Sequence, residues 1–553
     1  MDQLGIAGSD KLDIFLAWLS NPTTQMIFLP LLGCLLIMAT PASRRALVKT
    51  FAIIFSGLSL VVTILMAAGL PEGLRQLPAF AQYLKFQPEF QGLQFAQEFT
   101  WLQVKLGEYD SFGVNYSVGV DGLSMPLLVM SAAVIFLANV WALHRTERVR
   151  DYFALVLLLE AGLLGVFVAM DYVLFYLFWE LMLIPMYFLI AGWGPRREAA
   201  GKAAIKFFIY TMFGSVFMLI AFIAMQVLST EYTFSIPGLM SYSLQSGIAF
   251  PQSWRIMMFT GLLLGFAVKV PMFPFHTWLP DAHTEAPTEM SVILAAVMLK
   301  TGTYAYLRIL YPTFPDIAYI IGPIIAFCGV MAIVYGAAVT LVQTDIKRMV
   351  AYSSISHMGF VVLGISAMHH DATVGAVYQM VAHGVVVSSL FFLCGVVERR
   401  YGTRDMRELG GMLGGAPAYA VVLGLAAFAG MGLPGLASFW GEFLVLKGTF
   451  FNNANWMTVH VGPLDGSRFL QLSAAVAIIG ILISAVYMIN MLQRVVLGKE
   501  RSELKPWRGF RVTDAVVLIP LALAIIILGV YPSPVVAACR QYAIHLAFTA
   551  MQF

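Results

Sequence analysis

The chain has 553 residues, 60% of them hydrophobic and only 11% charged, with a mean hydropathy of +0.82. Soluble domains carry roughly 25% charged residues and about 45–50% apolar ones, so a compact soluble fold of this length could not cover itself with polar surface. A soluble enzyme, a disordered chain and a nucleic-acid binder are thereby excluded, and the net charge of +3 is too small to specify an anionic partner.

The start, MDQLGIAGSDKLDIF, lacks a basic segment followed by an apolar core. No cleavable signal peptide is expected, and the first hydrophobic run should itself be a span. A bilayer core needs about 20 apolar residues per helix. About fourteen runs meet that length. They lie near 24–41, 46–70, 122–143, 151–170, 172–193, 201–228, 255–275, 289–311, 317–342, 345–367, 371–397, 417–449, 470–494 and 512–531. The expected fold is an all-α polytopic membrane protein of about 14 helices. The stretch 417–449 is too long for one ordinary span and is interrupted by MGLPGLASF.

Basic residues mark orientation. One side collects about 21 of them, in the loops at 44–49, 145–150, 196–202, 347–348, 399–407 and 494–511; the other holds about 9. The first side is expected in the cytoplasm and both termini outside. The longest connections, 71–121 and 229–254, are read as external loops. Residues 498–511 are read as a basic internal linker, and the tail after Pro532 as a segment along the membrane surface. The four cysteines, Cys34, Cys328, Cys394 and Cys539, stand alone with no ligand spacing, so neither disulfides nor an iron–sulfur site is expected. No phosphate-binding or cofactor motif is present, and no cofactor or metal is expected in this chain.

Charges at membrane depth are the functional candidates. Burying Lys, Asp or Glu at a helix centre costs about 2.5–3.5 kcal/mol on insertion scales. At 1.5 Å per residue, Glu180 lies about 13 Å into its span, Lys300 about 16 Å, and His357 and His383 each about 18 Å. All are near the middle of a core about 30 Å thick. Charges at one height on successive helices describe a polar row parallel to the membrane plane. Lys269 precedes Pro271 and Pro274 in KVPMFPFHTWLPDAH, and Glu442 follows Pro434 in LPGLASFWGEF. Proline breaks a helix, and broken helices are tolerated in a bilayer only against protein or a water-filled cavity. Paired interruptions mark inverted-repeat transporters. Both breaks fall on the fourth helix of a five-helix unit. The expected organisation is residues 1–150 (helices 1–3 with an external loop), 151–311 (first unit), 312–497 (second unit) and 498–553 (linker, last helix and tail).

Other polar residues have plainer readings. Lys206 lies near a span's start, where snorkelling accounts for it. Glu160 can bond a neighbouring helix. Both are kept as candidate relay residues. His276, Asp281, His283 and Glu285 are read as helix caps in a cytoplasmic connection. His369, His370 and Asp371 lie at an outer loop and fall short of a metal site without further partners.

The stretches FWELMLIPMYFLIAGWG, KVPMFPFHTWLPDAHTEAPTEMSVILAAVMLKTGTYAYLR, QTDIKRMVAYSSISHMGF and LPGLASFWGEF carry a resemblance. They resemble the antiporter-like membrane chains of proton-pumping NADH:quinone oxidoreductase (complex I), of the chain M type. Lys300 in MLKTG and a glutamate at 442 favour that type over its sister chain L. The resemblance implies fourteen helices, two inverted five-helix repeats and broken seventh and twelfth helices. It implies that Glu180 pairs with Lys269, that Lys300 links to Glu442, and that His357 and His383 relay between them. It further implies a respiratory-chain subunit in a bacterial cytoplasmic membrane, with sister antiporter-like chains as partners and FMN, iron–sulfur clusters and quinone held by partner subunits. A stand-alone sodium/proton antiporter subunit, a hydrogenase- or ferredoxin-linked complex and a passive scaffold subunit are the competing expectations.

Overall fold

The computed structural model describes residues 19–70, 83–106, 110–229, 233–245, 250–452, 460–462, 464–498, 507 and 509–551. Twelve of its helices are long and apolar enough to cross a membrane. They are α1 (Pro22–Ala39), α2 (Arg45–Ala68), α3 (Ser124–His144), α4 (Val149–Val168), α5 (Tyr172–Trp193), α6 (Arg197–Leu228), α8 (Thr288–Thr313), α9 (Pro315–Leu341), α10 (Ile346–Ser366), α11 (His370–Tyr401), α13 (Gly466–Val495) and α14 (Val512–Val530). The other two runs expected from the sequence are the interrupted ones. Segment α7 is Gln252–Lys269 followed, after a break, by Trp278–Glu285. Segment α12 is Pro417–Gly430 and Ala437–Phe450. A last helix, α15 (Ser533–Met551), follows.

Local chemistry sets these boundaries. Asn21, Asp171 and Asp345 accept backbone N–H bonds at the starts of α1, α5 and α10, satisfying donors that a helix N-terminus leaves free. Asp121 does the same for Leu123 and Ser124 at 3.0 and 3.1 Å, at the start of α3. Glycine sets the closest crossings. A Cβ at Gly359 of α10 would stand 2.7 Å from the Gly329 carbonyl of α9, and one at Gly265 of α7 would stand 3.0 Å from the Gly214 carbonyl of α6. Small residues let membrane helices approach in this way without any hydrophobic drive between them.

The helices differ sharply in burial. The spanning windows of α8 and α11 are wholly buried and that of α10 is 94% buried, whereas α2 and α14 are only one-third buried. Large apolar side chains such as Leu35, Ile209, Leu482 and Val530 face outward on the peripheral helices. Apolar side chains on the rim and polar ones on the central helices is the arrangement a hydrocarbon solvent requires.

One expectation changes here. Part of the expected 71–121 loop is an antiparallel hairpin, β1 (Gln94–Leu106) with β2 (Asp110–Val120), in register Phe99↔Tyr116. The tail packs on the bundle. Tyr542 of α15 donates to the Leu307 carbonyl at 2.7 Å, and a Cβ at Gly122 would collide with the Ala538 carbonyl. Most of the expected 498–511 linker lies outside the described residues.

The basic loops do converge. Arg145 pairs with Glu289, Arg196 with Glu285, and Arg404 with Asp345 at 3.2 Å and Glu398 at 3.5 Å. Arg404 also donates to the Thr284 carbonyl at 2.9 Å. These contacts gather five connections at one end of the bundle. At the opposite end stand Arg308 with Asp121, Arg255 with Asp316, and Lys447 with Asp371. The alternation of basic loops along the sequence is therefore a division between two ends of the molecule.

Candidate functional site

The site is built on interruptions in otherwise regular helices. In α5 the regular helix ends at Leu181 and resumes at Leu183. Pro185 cannot donate to the Leu181 carbonyl, and the irregularity falls at Met182, two residues after Glu180. In α7 the helix ends at Lys269, and the freed Val268 carbonyl accepts the Trp278 indole N–H at 2.9 Å. In α8, π-helical turns at Leu294–Met298 and Tyr306–Leu310 flank Lys300. Such turns free main-chain carbonyls and recur at functional sites. In α12, Gly432 and Gly435 take positive φ values of 73° and 88° in the break before Glu442.

Lys269 is buried, and its ammonium lies 5.3 Å from the Trp179 ring centroid and 5.9 Å from that of Phe207. Both are within the range of cation–π attraction. Glu180 is the carboxylate acting on Lys269 electrostatically. No hydrogen bond joins them, because Lys269 Nζ has no partner; Glu180 Oε1 has none either. The pair implied by resemblance is thus an open pair. Glu180 is half-buried and Lys269 is enclosed.

From Lys300 onward the side chains form two bonded pairs whose imidazoles lie side by side. Lys300 Nζ donates to the Ala295 carbonyl at 2.6 Å, a bond made across the first π-helical turn. It also stands 2.6 Å from His383 Nδ1. The His383 and His357 ring centroids are 5.6 Å apart. His357 Nδ1 lies 3.2 Å from Glu442 Oε1, which also accepts from Gln379 Nε2 at 3.3 Å. The line runs through α8, α11, α10 and α12. All four titratable groups are buried, Lys300 completely. His383 Nε2 has no partner. A small cavity of about 10 Å³ lined by His357, His383, Ser353 and Ser438 opens beside the two imidazoles, about the space one water occupies.

The contact between Lys300 and His383 fits two protonation states. An ammonium can donate to a neutral imidazole, or a neutral amine can accept from an imidazolium. The same proton serves both descriptions, so the pair shares one rather than holding two. The same holds for His357 and Glu442, where imidazolium–carboxylate and neutral imidazole–carboxylate both keep the bond. Such a series can store and pass protons. Among the described residues its members offer no open coordination set for a cofactor.

The other sequence candidates divide. Lys206 does not simply snorkel. It bonds Asp281 at 2.7 Å and the Thr277 carbonyl at 2.8 Å, tying α6 to the second half of α7. Glu160 accepts from Ser56 at 3.0 Å, and Asn139 donates to that Ser56 at 3.1 Å. This places it in a separate buried cluster between α2, α3 and α4. Asp281 and Glu285 are ion-paired rather than capping. His283 is fully buried, neither ring nitrogen has a partner, and it stacks on Phe391 at 5.1 Å. It interacts electrostatically with Lys300 and Lys347. Sequence reasoning missed His283, Lys347 and Gln379; WLPDAHTE reads as a polar connection, and nothing local signals that it folds inward.

A family model described as NADH:quinone oxidoreductase/Mrp antiporter, TM, matches residues 169–491. NADH-quinone oxidoreductase subunit M of Rhodobacter capsulatus is 38% identical over 469 residues, covering 83% of this chain and 86% of that protein. NAD(P)H-quinone oxidoreductase chain 4 1 of Nostoc sp. is 35% identical over 539 residues, covering 96% of this chain and 91% of that one. Among solved structures, a chain of respiratory complex I from Thermus thermophilus superposes with a TM-score of 0.79 at 26% identity, covering 96% of this chain and 99% of that chain. A chain of the Mrp complex from Dietzia sp. superposes at 0.77 with 18% identity, covering 96% and 98%, a likeness of fold alone.

Proposed function

The chain belongs to the NADH:quinone oxidoreductase/Mrp antiporter membrane family, and we propose that it carries protons along the buried row from Glu180 and Lys269 through Lys300, His383 and His357 to Glu442. It is a proton-translocating membrane-arm subunit of an NADH:quinone oxidoreductase and works as part of a multi-subunit complex. The observation that carries the proposed route is the pair of contacts Lys300–His383 and His357–Glu442, with the two imidazoles 5.6 Å apart between them, on helices enclosed by protein.

The mechanism rests on linkage. Desolvation favours the neutral form of a lysine, and a nearby carboxylate favours the charged one. Glu180 and Lys269 face each other without a hydrogen bond, so a small approach of Glu180 strengthens the hold of Lys269 on its proton and a retreat weakens it. One pKa unit is about 1.4 kcal/mol, so a change of a few units suffices to drive a proton against a gradient. A proton enters at the basic end near Lys269, passes to Lys300, shifts to His383, crosses a water to His357 and leaves by way of Glu442. Lys206, through Asp281, holds the second half of α7 in register. Glu160 is a peripheral charge store outside the contact series. Residues 151–311 and 312–497 act as the two repeat units.

The driving energy comes from partner subunits, with FMN, iron–sulfur clusters and quinone placed there and sister antiporter-like chains as lateral neighbours in the bilayer. The location is a bacterial cytoplasmic membrane with both termini outside. A sodium/proton antiporter subunit is the second reading. Glu442 and the 38% identity to a subunit M favour the first.

The test is purification of the native complex with Lys269→Ala or Glu180→Ala. Proton uptake per NADH oxidised, measured in proteoliposomes, should fall while assembly is retained. Normal uptake in an assembled variant removes these residues from the route. Co-purifying chains without flavin or iron–sulfur signals would overturn the oxidoreductase reading itself.

A further inference from the structure

We propose that His369, His370 and Asp371, at the junction of α10 and α11, bind a divalent cation of the zinc class in exchange for the ammonium of Lys447. One ligand atom from each of the three residues lies within 4.8 Å of the others. His370 Nε2 and Asp371 Oδ1 are already 3.2 Å apart. Ligand atoms on a tetrahedral zinc, bonded at about 2.0–2.2 Å, stand about 3.4 Å from one another. The His370–Asp371 spacing is already near that value, and side-chain rotation has the remaining gap to His369 to close. His370 and Asp371 are 47% and 24% exposed, which leaves room for that rotation and for water at the fourth position. Two imidazoles and one carboxylate suit a borderline cation better than calcium or magnesium, which prefer oxygen ligands.

A cation already holds this place. Lys447 Nζ stands 2.8 Å from Asp371 Oδ2. The lone pair of His369 Nδ1 accepts the Asp371 N–H at 3.2 Å, a long bond that a metal would replace. Zinc at Oδ1, the oxygen beside His370, sets two cations on one carboxylate, and their repulsion weakens the Lys447 contact at Oδ2. The exchange reaches the proton row. Lys447 and Glu442 share the second half of α12. The end of that half-helix rests on the first turn of α11, where a Cβ at Gly448 would collide with the Ala372 nitrogen. Zinc on Asp371 releases Lys447 and loosens this seat.

The experiment uses the intact complex, stripped with a chelator and equilibrated with zinc chloride. Zinc per complex is measured by mass spectrometry after gel filtration. Joint His369→Ala and His370→Ala should remove one zinc per complex, and Asp371→Asn should do the same with less change of shape. Lys447→Met should tighten binding at this site about tenfold, a gain of about 1.4 kcal/mol. Backbone hydrogen exchange over residues 437–450 should rise on zinc addition in the parent and not in the His369/His370 variant. Equal zinc content in parent and variants means an adventitious ion only and overturns the site. Unchanged affinity in Lys447→Met overturns the exchange.

Discussion

Lys300 and His383 stand 2.6 Å apart in the enclosed centre of the bundle, and the far nitrogen of that histidine has no partner. A polar atom left unpaired in a buried site is costly. Its cost is relieved when a proton or a water arrives, which is what a relay group must invite.

Replacing Lys300 by alanine leaves His383 without its donor and opens the series at its start. Proton translocation should fall about tenfold or more, an added barrier of at least about 1.4 kcal/mol. His383→Ala should give a similar loss by opening the next link, and the double variant should be little worse than either single one. Proteoliposome pumping beside native-gel assembly checks this. Additive losses would show that the two act on separate routes.

Gly432 and Gly435 both have positive φ, yet they predict different outcomes. A Cβ at Gly432 would collide with Glu442 Oε2, whereas one at Gly435 meets open space. Gly435→Ala should cost only the backbone strain, roughly 1–2 kcal/mol of stability. Gly432→Ala adds displacement of Glu442 from His357 and should suppress translocation as strongly as Glu442→Ala. Similar pumping by the two glycine variants would contradict the placement of Glu442 in the break.

Much of this site was legible because burial of charge is so expensive. Glu180, Lys269, Lys300 and Glu442 stand out in an apolar chain for that reason alone, and the prolines at 271 and 434 locate the breaks. Depth along a helix also put His357 and His383 at the height of Lys300. What periodicity does not encode is pairing between distant segments. Lys206 with Asp281 and Arg404 with the Thr284 carbonyl are contacts across the bundle, and no spacing rule reveals them. The π-helical turns around Lys300 have no sequence signature of their own. The hairpin at 94–120 reads as loop in the sequence because a lone pair of strands is marginal by itself, and its anchoring onto helices is a tertiary fact. One such anchor is the 3.0 Å contact between Thr24 and Tyr116.

Glu180 should act by charge and not by contact, since no hydrogen bond reaches Lys269. Glu180→Gln keeps the shape and removes the charge, so it should impair pumping nearly as much as Glu180→Ala. Glu180→Asp keeps the charge at a longer reach and should retain a substantial part of the rate. Pumping by Glu180→Gln at the parent rate would make the carboxylate a packing group.

Asp121 and Arg308 form a bidentate pair at 2.6 and 2.8 Å, joining the start of α3 to α8. Burial alone would raise the Asp121 carboxyl, but the Arg308 charge and the Ser124 bonds outweigh it and hold the group below its ordinary value. An acid held low in the fold stabilises it fully above its unfolded pKa, about 3.9. That contribution is lost as pH falls through the folded value. The complex should therefore lose thermal stability below about pH 4 at this junction. Asp121→Asn leaves Arg308 buried without its counter-charge, a cost of about 3–5 kcal/mol at neutral pH. The gap between parent and variant should narrow as the solution is acidified, because protonation does to the parent what the substitution has done already. Thermal unfolding of the purified complex across pH 3–7 measures that gap, and a gap that stays constant would place the stabilisation elsewhere.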